Sequence, residues 1–210
     1  MENKKSTYKY PLLLLIGPSG SGKDTIMQLI KKKMDIAFSP TFTTREKREY
    51  DSDNISKFIS IQEFKDLIKK RAFLDYNFYI GNYYGTKKDY VLELIKNKPV
   101  IQHSDINGVK KIKNNPKLNY DSKEHTININ TNKIKIYFLG ILMESIEHTK
   151  RTLINRDGDN AETKQRVELI PQEYDFIKKN ADYCIINYYN KQEQCADEFV
   201  KLIKKLINNN

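Results

Sequence analysis

After a polar opening stretch the chain runs through five apolar residues, Leu12-Leu13-Leu14-Leu15-Ile16, and stops on glycine. A continuous apolar run of this length, cut off by a turn signal, predicts a strand inside a parallel sheet. A helix follows from about Thr25 to Lys33, and the β-branched, alternating stretch Ile36 to Thr44 predicts extended chain. Arg45 to Lys57 is charged and turn-rich, and Phe58 to Ile61 reads as a short strand. Ser60 with Glu63 three residues on is a capping-box start for a helix reaching about Lys70. Aromatic and polar residues alternate from Phe73 to Tyr84, which predicts a strand and a hairpin around Gly81-Asn82.

Val91, Leu94 and Ile95 share one face of a helix predicted over Lys87 to Asn97. A strand over Pro99 to His103 and a short helix over Asn107 to Ile112 come next. Asn114 to Lys133 is rich in Asn, Lys and Asp and reads as a flexible insertion or a small hairpin. Ile134 to Ile141 predicts a core strand, and Glu144 to Ile154 a helix. Arg156 to Asn160 reads as a charged loop, followed by a helix interrupted near Pro171, because proline lacks the N–H that a helix interior uses. Tyr183 to Asn187 is the last strand. Gln192 to Ile207 is an amphipathic helix with Ala196, Phe199, Val200 and Ile203 on its apolar face. Strands alternating with helices define an α/β fold with a parallel sheet.

Composition narrows the reading. At 210 residues the chain suits one domain, large enough for a sizeable core. It has no 18-residue apolar run to cross a membrane, and Leu12–Ile16 is too short for a signal-peptide core, so a cytoplasmic protein without a membrane partner is expected. Cys184 and Cys195 lack metal spacing and read as packing residues; His103, His125 and His148 are scattered, which argues against structural zinc. The net charge of +10 favours anionic partners. The lysines are spread along the whole chain, without an RNA-binding aromatic signature or zinc-finger spacing, so a nucleic-acid partner is not expected.

The chemistry begins where the first strand ends. Gly17-Pro18-Ser19-Gly20-Ser21-Gly22-Lys23-Asp24-Thr25 joins a buried strand to a helix start, the context of a phosphate-binding P-loop. Glycines at 17, 20 and 22 let backbone N–H groups close on phosphate oxygens, the helix adds its positive end, and Lys23 reaches the β and γ phosphates. Asp24 stands where Ser or Thr normally holds Mg²⁺. It either reaches the ion through water or only favours the helix N-terminus, and the hydroxyl of Thr25 is next to it.

Four segments in order resemble the guanylate kinase family over about residues 11 to 207: the P-loop, Thr43-Thr44-Arg45-Glu46-Lys47-Arg48, Gly81-Asn82-Tyr83-Tyr84-Gly85-Thr86 and Asp105-Ile106-Asn107-Gly108-Val109-Lys110. The resemblance implies a single P-loop kinase domain. Its parallel-sheet core would span 11–37, 89–150 and 169–207, with a monophosphate-binding subdomain at 38–88 and a lid at 151–168. It also implies transfer of the ATP γ-phosphoryl group, with Mg²⁺, to GMP or dGMP. Arg45 and Arg48 are close enough to grip one phosphate with planar forks, and Tyr84 would join them as its counterpart does in the family. By the same resemblance Thr41, Asp75 and Thr86 read the base, Asp105 orients the base or a magnesium water, and Arg156 and Arg166 close over the transferring group. Asp75 replaces the usual glutamate, one methylene shorter.

Three departures stand out. Ser56 lies where the family has a phosphate-binding tyrosine. His103 replaces the first of two acidic residues at a strand end, leaving Asp105. The lid arginine nearest the N-terminus is displaced to Arg151 or replaced by Thr152. Gly-Lys-Asp also resembles ribose 1,5-bisphosphate kinases, and a catalytically weak binding module is a further alternative, one whose members usually lose the P-loop lysine.

Overall fold

A computed structural model of the chain describes residues 8–49, 51 and 55–208. The first half contains β1 (Leu12–Ile16), α1 (Lys23–Lys33), β2 (Ala37–Phe38), β3 (Thr41–Thr43), β4 (Ser56–Phe58), α2 (Ile61–Lys69), β5 (Phe73–Tyr79), β6 (Asn82–Lys87) and α3 (Lys88–Ile95). The second half contains β7 (Val100–Ser104), α4 (Ile106–Asn114), β8 (Thr126–Ile129), β9 (Asn132–Met143), α5 (Ile146–Asp157), α6 (Ala161–Asn180), β10 (Tyr183–Asn187) and α7 (Gln192–Asn208).

The main sheet runs β10-β9-β1-β7-β2, all parallel, with β8 added antiparallel to β9. The unbroken apolar run of β1 follows from its place at the centre. Leu12, Leu14 and Ile16 pack with Val91, Val109 and Ile177 on one side, while Leu13 and Leu15 pack with Ile26, Ile30 and Phe199 on the other. Helices therefore cover both faces, and α7 lies over α1, pinned at the surface where Lys33 meets Glu193 and Asp197.

A separate four-stranded sheet, β4-β3-β6-β5, carries its own small core of Phe42, Phe64 and Phe73, with the Phe64 and Phe73 rings stacked 4.5 Å apart. Gly85 of β6 is required there, since a Cβ would come within 2.9 Å of the Phe73 ring. The capping box on α2 is complete: Ser60 accepts from the Glu63 N–H and the Glu63 carboxylate accepts from the Ser60 N–H. That box makes Ile61 the first helical residue, so the strand expected over Phe58–Ile61 lies instead at Ser56–Phe58.

Other expectations are corrected in the second half and at the first helix. α1 starts at Lys23 rather than Thr25, because Gly22 turns the chain in the left-handed region (φ 84°). Of the two readings of 114–133, the small hairpin is the one present: β8 folds on β9 through Asn130, and Ile127 and Ile129 enter the main core. α5 continues through Arg156 and Asp157 and stops at Gly158 (φ 79°), so only 158–160 form the loop. α6 passes through Pro171 without a break; Ile170, Tyr174 and Ile177 hold it on the core while Pro171 faces outward. Cys195 is buried on the inner face of α7 as a packing residue, but Cys184 is exposed on the edge strand β10.

Candidate active site

The C-terminal ends of β1 and β7, the inner face of the small sheet and α6 enclose a cleft of about 750 Å³. Open parallel sheets place their ligands at this end of the strands. At its floor is the loop after β1. Gly20 and Gly22 both have positive φ, and a Cβ on Gly17 would stand 2.6 Å from the Ile141 carbonyl oxygen. Asn187, at the end of β10, donates from Nδ2 to the Ser21 carbonyl at 3.0 Å and braces the loop from behind. Pro18, Gly20, Ser21 and Gly22 thus shape the cradle from outside the cleft lining, whereas Gly17, Ser19, Lys23, Asp24 and Thr25 face into it.

Lys23 folds back over the loop, its Nζ donating to the carbonyls of Gly17 (2.7 Å) and Pro18 (2.8 Å). Burial lowers its pKa, against the pull of the Glu173, Asp24 and Asp105 carboxylates, while Arg156 lowers it further. No side chain caps the N-terminus of α1, which leaves its first N–H groups to an anion in the cleft.

Across the cleft, the guanidinium of Arg45 is gripped by Asp51 at 2.8 and 3.0 Å, and the Arg48 N–H donates to the same carboxylate at 2.6 Å. Burial raises the Asp51 pKa, but the Arg45 fork and the Arg48 N–H outweigh it and the net shift is downward. Tyr84 lies opposite Thr43 in the strand register and lines the cleft with Arg45. The Arg48 side chain lies outside the lining, with Nη2 3.4 Å from Glu162.

Thr41, Thr86 and Asp75 sit side by side on three neighbouring strands, since Thr86 of β6 is opposite both of the others. Buried Gln102 donates to the Thr86 hydroxyl, and Thr86 donates to Asp75. Burial pushes the Asp75 carboxyl up to about 6; the Thr86 bond and Lys111 oppose the rise, and the nearby Asp105 adds to it. Asp105 caps α4, accepting from the Gly108 N–H at 2.7 Å and from Asn77 Nδ2 at 3.1 Å. Gly108 has no room for a side chain: a Cβ would lie 2.5 Å from Asp75 Oδ2.

Arg166 of α6 is buried and lines the cleft, held by Glu162 and by Asp157 at 3.3 Å. Arg156 pairs with the same Asp157 at 2.7 Å and lies outside the lining. Asp51 and Glu173 also belong to the site, though no motif in the sequence marks them. Asp51 was hidden in a run of charges. Glu173 accepts from the Ser19 N–H, and burial raises its pKa. Its spacing of two helical turns from Arg166 is the signal that could have found it. The donors near the loop mouth, Asp24, Thr25 and Asp105, present oxygen, which suits Mg²⁺. Among the described residues no three His, Cys, Asp or Glu side chains converge on one point.

A P-loop at the end of a parallel sheet, facing an arginine-bearing second subsite across one cleft, defines a P-loop phosphotransferase. The guanylate kinase family model matches residues 9–120. The guanylate kinase of Clostridium tetani is 33% identical over 179 residues, 84% of this chain and 77% of the relative. That of Mycoplasmopsis synoviae is 30% identical over 215 residues, 97% of each. The crystal structure of guanylate kinase from Anaplasma phagocytophilum shares the fold, with a TM-score of 0.66 at 18% identity over 93% of this chain and 85% of that one. The chain belongs to the guanylate kinase family.

Proposed function

We propose that the chain transfers the ATP γ-phosphoryl group to GMP or dGMP, giving ADP and GDP or dGDP. The observation that carries this reading is the pair of anion cradles on one cleft: the P-loop with Lys23 on one wall, Arg45 with Tyr84 on the other. Two polyanions must be brought end to end, and each wall suits one of them. The work is positioning and charge stabilisation, because an acceptor phosphate is already anionic and needs no general base.

In this reading residues 38–88 bind the monophosphate, 151–168 form the lid and the rest is the core. Lys23 leaves its loop carbonyls for the β and γ phosphates. Arg45 and Arg48 take the acceptor phosphate with Tyr84, while Asp75, Thr86, Thr41 and Asp105 meet the guanine. Arg166, already in the cleft, stabilises the transferring group, and Arg156 joins it when the lid closes. Thr25, and Asp105 through water, would help to hold Mg²⁺, which would supply neutralisation of the phosphate charge. Small nucleotide substrates suit a cytoplasmic enzyme, and no described helix is long and apolar enough to cross a membrane.

ADP release measured across GMP, dGMP, AMP and ribose 1,5-bisphosphate tests the assignment. GMP or dGMP should be the preferred acceptor, and Lys23→Ala should lower turnover by about 10²–10³ with the fold intact. Preference for ribose 1,5-bisphosphate, or near-parent turnover in Lys23→Ala, overturns it.

A further inference from the structure

Two departures that lie far apart in the sequence meet in space. Asp24 follows the loop lysine on α1, and His103 stands near the end of β7, level with Leu15 of β1. The His103 Nε2 lies 3.2 Å from Asp24 Oδ1. That nitrogen is buried and forms no hydrogen bond to any described residue, so it faces the carboxylate without a completed bond. The Asp24 side chain is 65% exposed and opens into the cleft beside Thr25 and Ser19. Lys23 does not neutralise it by contact, because the ammonium is held by the Gly17 and Pro18 carbonyls.

The pair sets an acid on the helix against an imidazole on the strand. Mg²⁺ takes oxygen and is poorly served by imidazole. A carboxylate that binds the ion through one oxygen leaves the other free for a donor, and such outer partners orient metal ligands.

We propose that Asp24 is a direct protein ligand to the Mg²⁺ of bound ATP, and that His103 is its positioning residue, donating from Nε2 to the carboxylate. This rests on the kinase reading above. The carboxylate carries a full negative charge, so without the ion it repels the triphosphate and with the ion it attracts the complex. ATP binding by this chain is therefore strongly metal-dependent.

Calorimetry of ATP binding to the full chain, without an acceptor, in EDTA and then in Mg²⁺, gives the ratio of the two affinities. In Asp24→Asn the metal-free affinity should stay level or rise, while the Mg²⁺-bound affinity falls by at least about tenfold. His103→Ala should reduce the ratio in the same direction by a smaller factor. The exchange variant Asp24→Ser/His103→Asp should recover it, which a merely structural role for His103 would not produce. An unchanged ratio in Asp24→Asn, or an exchange variant no better than Asp24→Ser alone, overturns the proposal and leaves the kinase reading standing. A parent chain that binds no ATP in either condition removes both.

Discussion

Asp75 is a carboxyl group placed where ionisation is costly, between Thr86, Asp105 and the backbone of Gly108. Its pKa is raised from 3.8 to about 6, so the folded chain holds a proton that the unfolded chain releases. The folded state thus binds more protons between those two values, and stability of the free protein falls as pH rises from about 4 to about 6. Asp75→Asn should flatten that slope and raise the melting temperature at pH 7; an unaltered slope would show that the charge is not strained. Guanine N–H groups need the ionised form, so acceptor affinity should drop as pH falls below about 6, and Asp75→Asn should narrow the gap between GMP and AMP. Equal GMP and AMP affinities in the parent would remove the guanine assignment. Arg45 makes a different argument. Its fork is satisfied by Asp51, with 15% and 12% of the two side chains exposed, so the arginine is aimed before any phosphate arrives. Arg45→Ala should raise the acceptor KM by a factor corresponding to about 2–5 kcal/mol while ATP binding changes little. Parent kinetics in this variant would return Arg45 to a structural pair with Asp51.

The elements most legible in the sequence were those whose local chemistry agrees with their packing. The capping box at Ser60 and Glu63 and the turn at Gly81 needed no long-range information. In α6 packing overrides the local rule: three core residues on one face hold the helix together across Pro171. The site was legible where one motif carries it, as in the P-loop, and illegible where it is assembled from distant strands. Gln102 behind Thr86, and Asn187 behind Ser21, join residues 16 and 166 positions apart, and no spacing rule reaches that far. Pro171 supplies the test at this scale. Its side chain is exposed, so Pro171→Ala removes no packing and restores an N–H donor in mid-helix. The variant should be more stable by about 1–3 kcal/mol in denaturant unfolding. A destabilised variant would mean that the backbone around 171 is not helical in solution.

At the scale of the whole molecule, a chain of net charge +10 must bring two anionic nucleotides into one cleft. Their long-range attraction is screened over about 10 Å at 0.1 M salt. Raising ionic strength from about 0.05 to 0.5 M should therefore lower kcat/KM for both substrates more than it lowers kcat. Salt-independent kcat/KM would mean that the excess lysines are unrelated to substrate capture. The layout of the main sheet has a consequence of another kind. The nucleotide loop is among the first parts of the domain to leave the ribosome, yet its carbonyl at Ser21 is braced by Asn187, 166 residues later. The face of β1 that supports the loop is closed by α7, later still. During translation the loop therefore exists long before its walls do, and most of the nascent chain has no finished triphosphate site. In the kinase reading, capture of ATP begins as a single late event, when β10 and α7 dock, so a ribosome stalled before Asn187 should present a chain that nucleotide cannot stabilise.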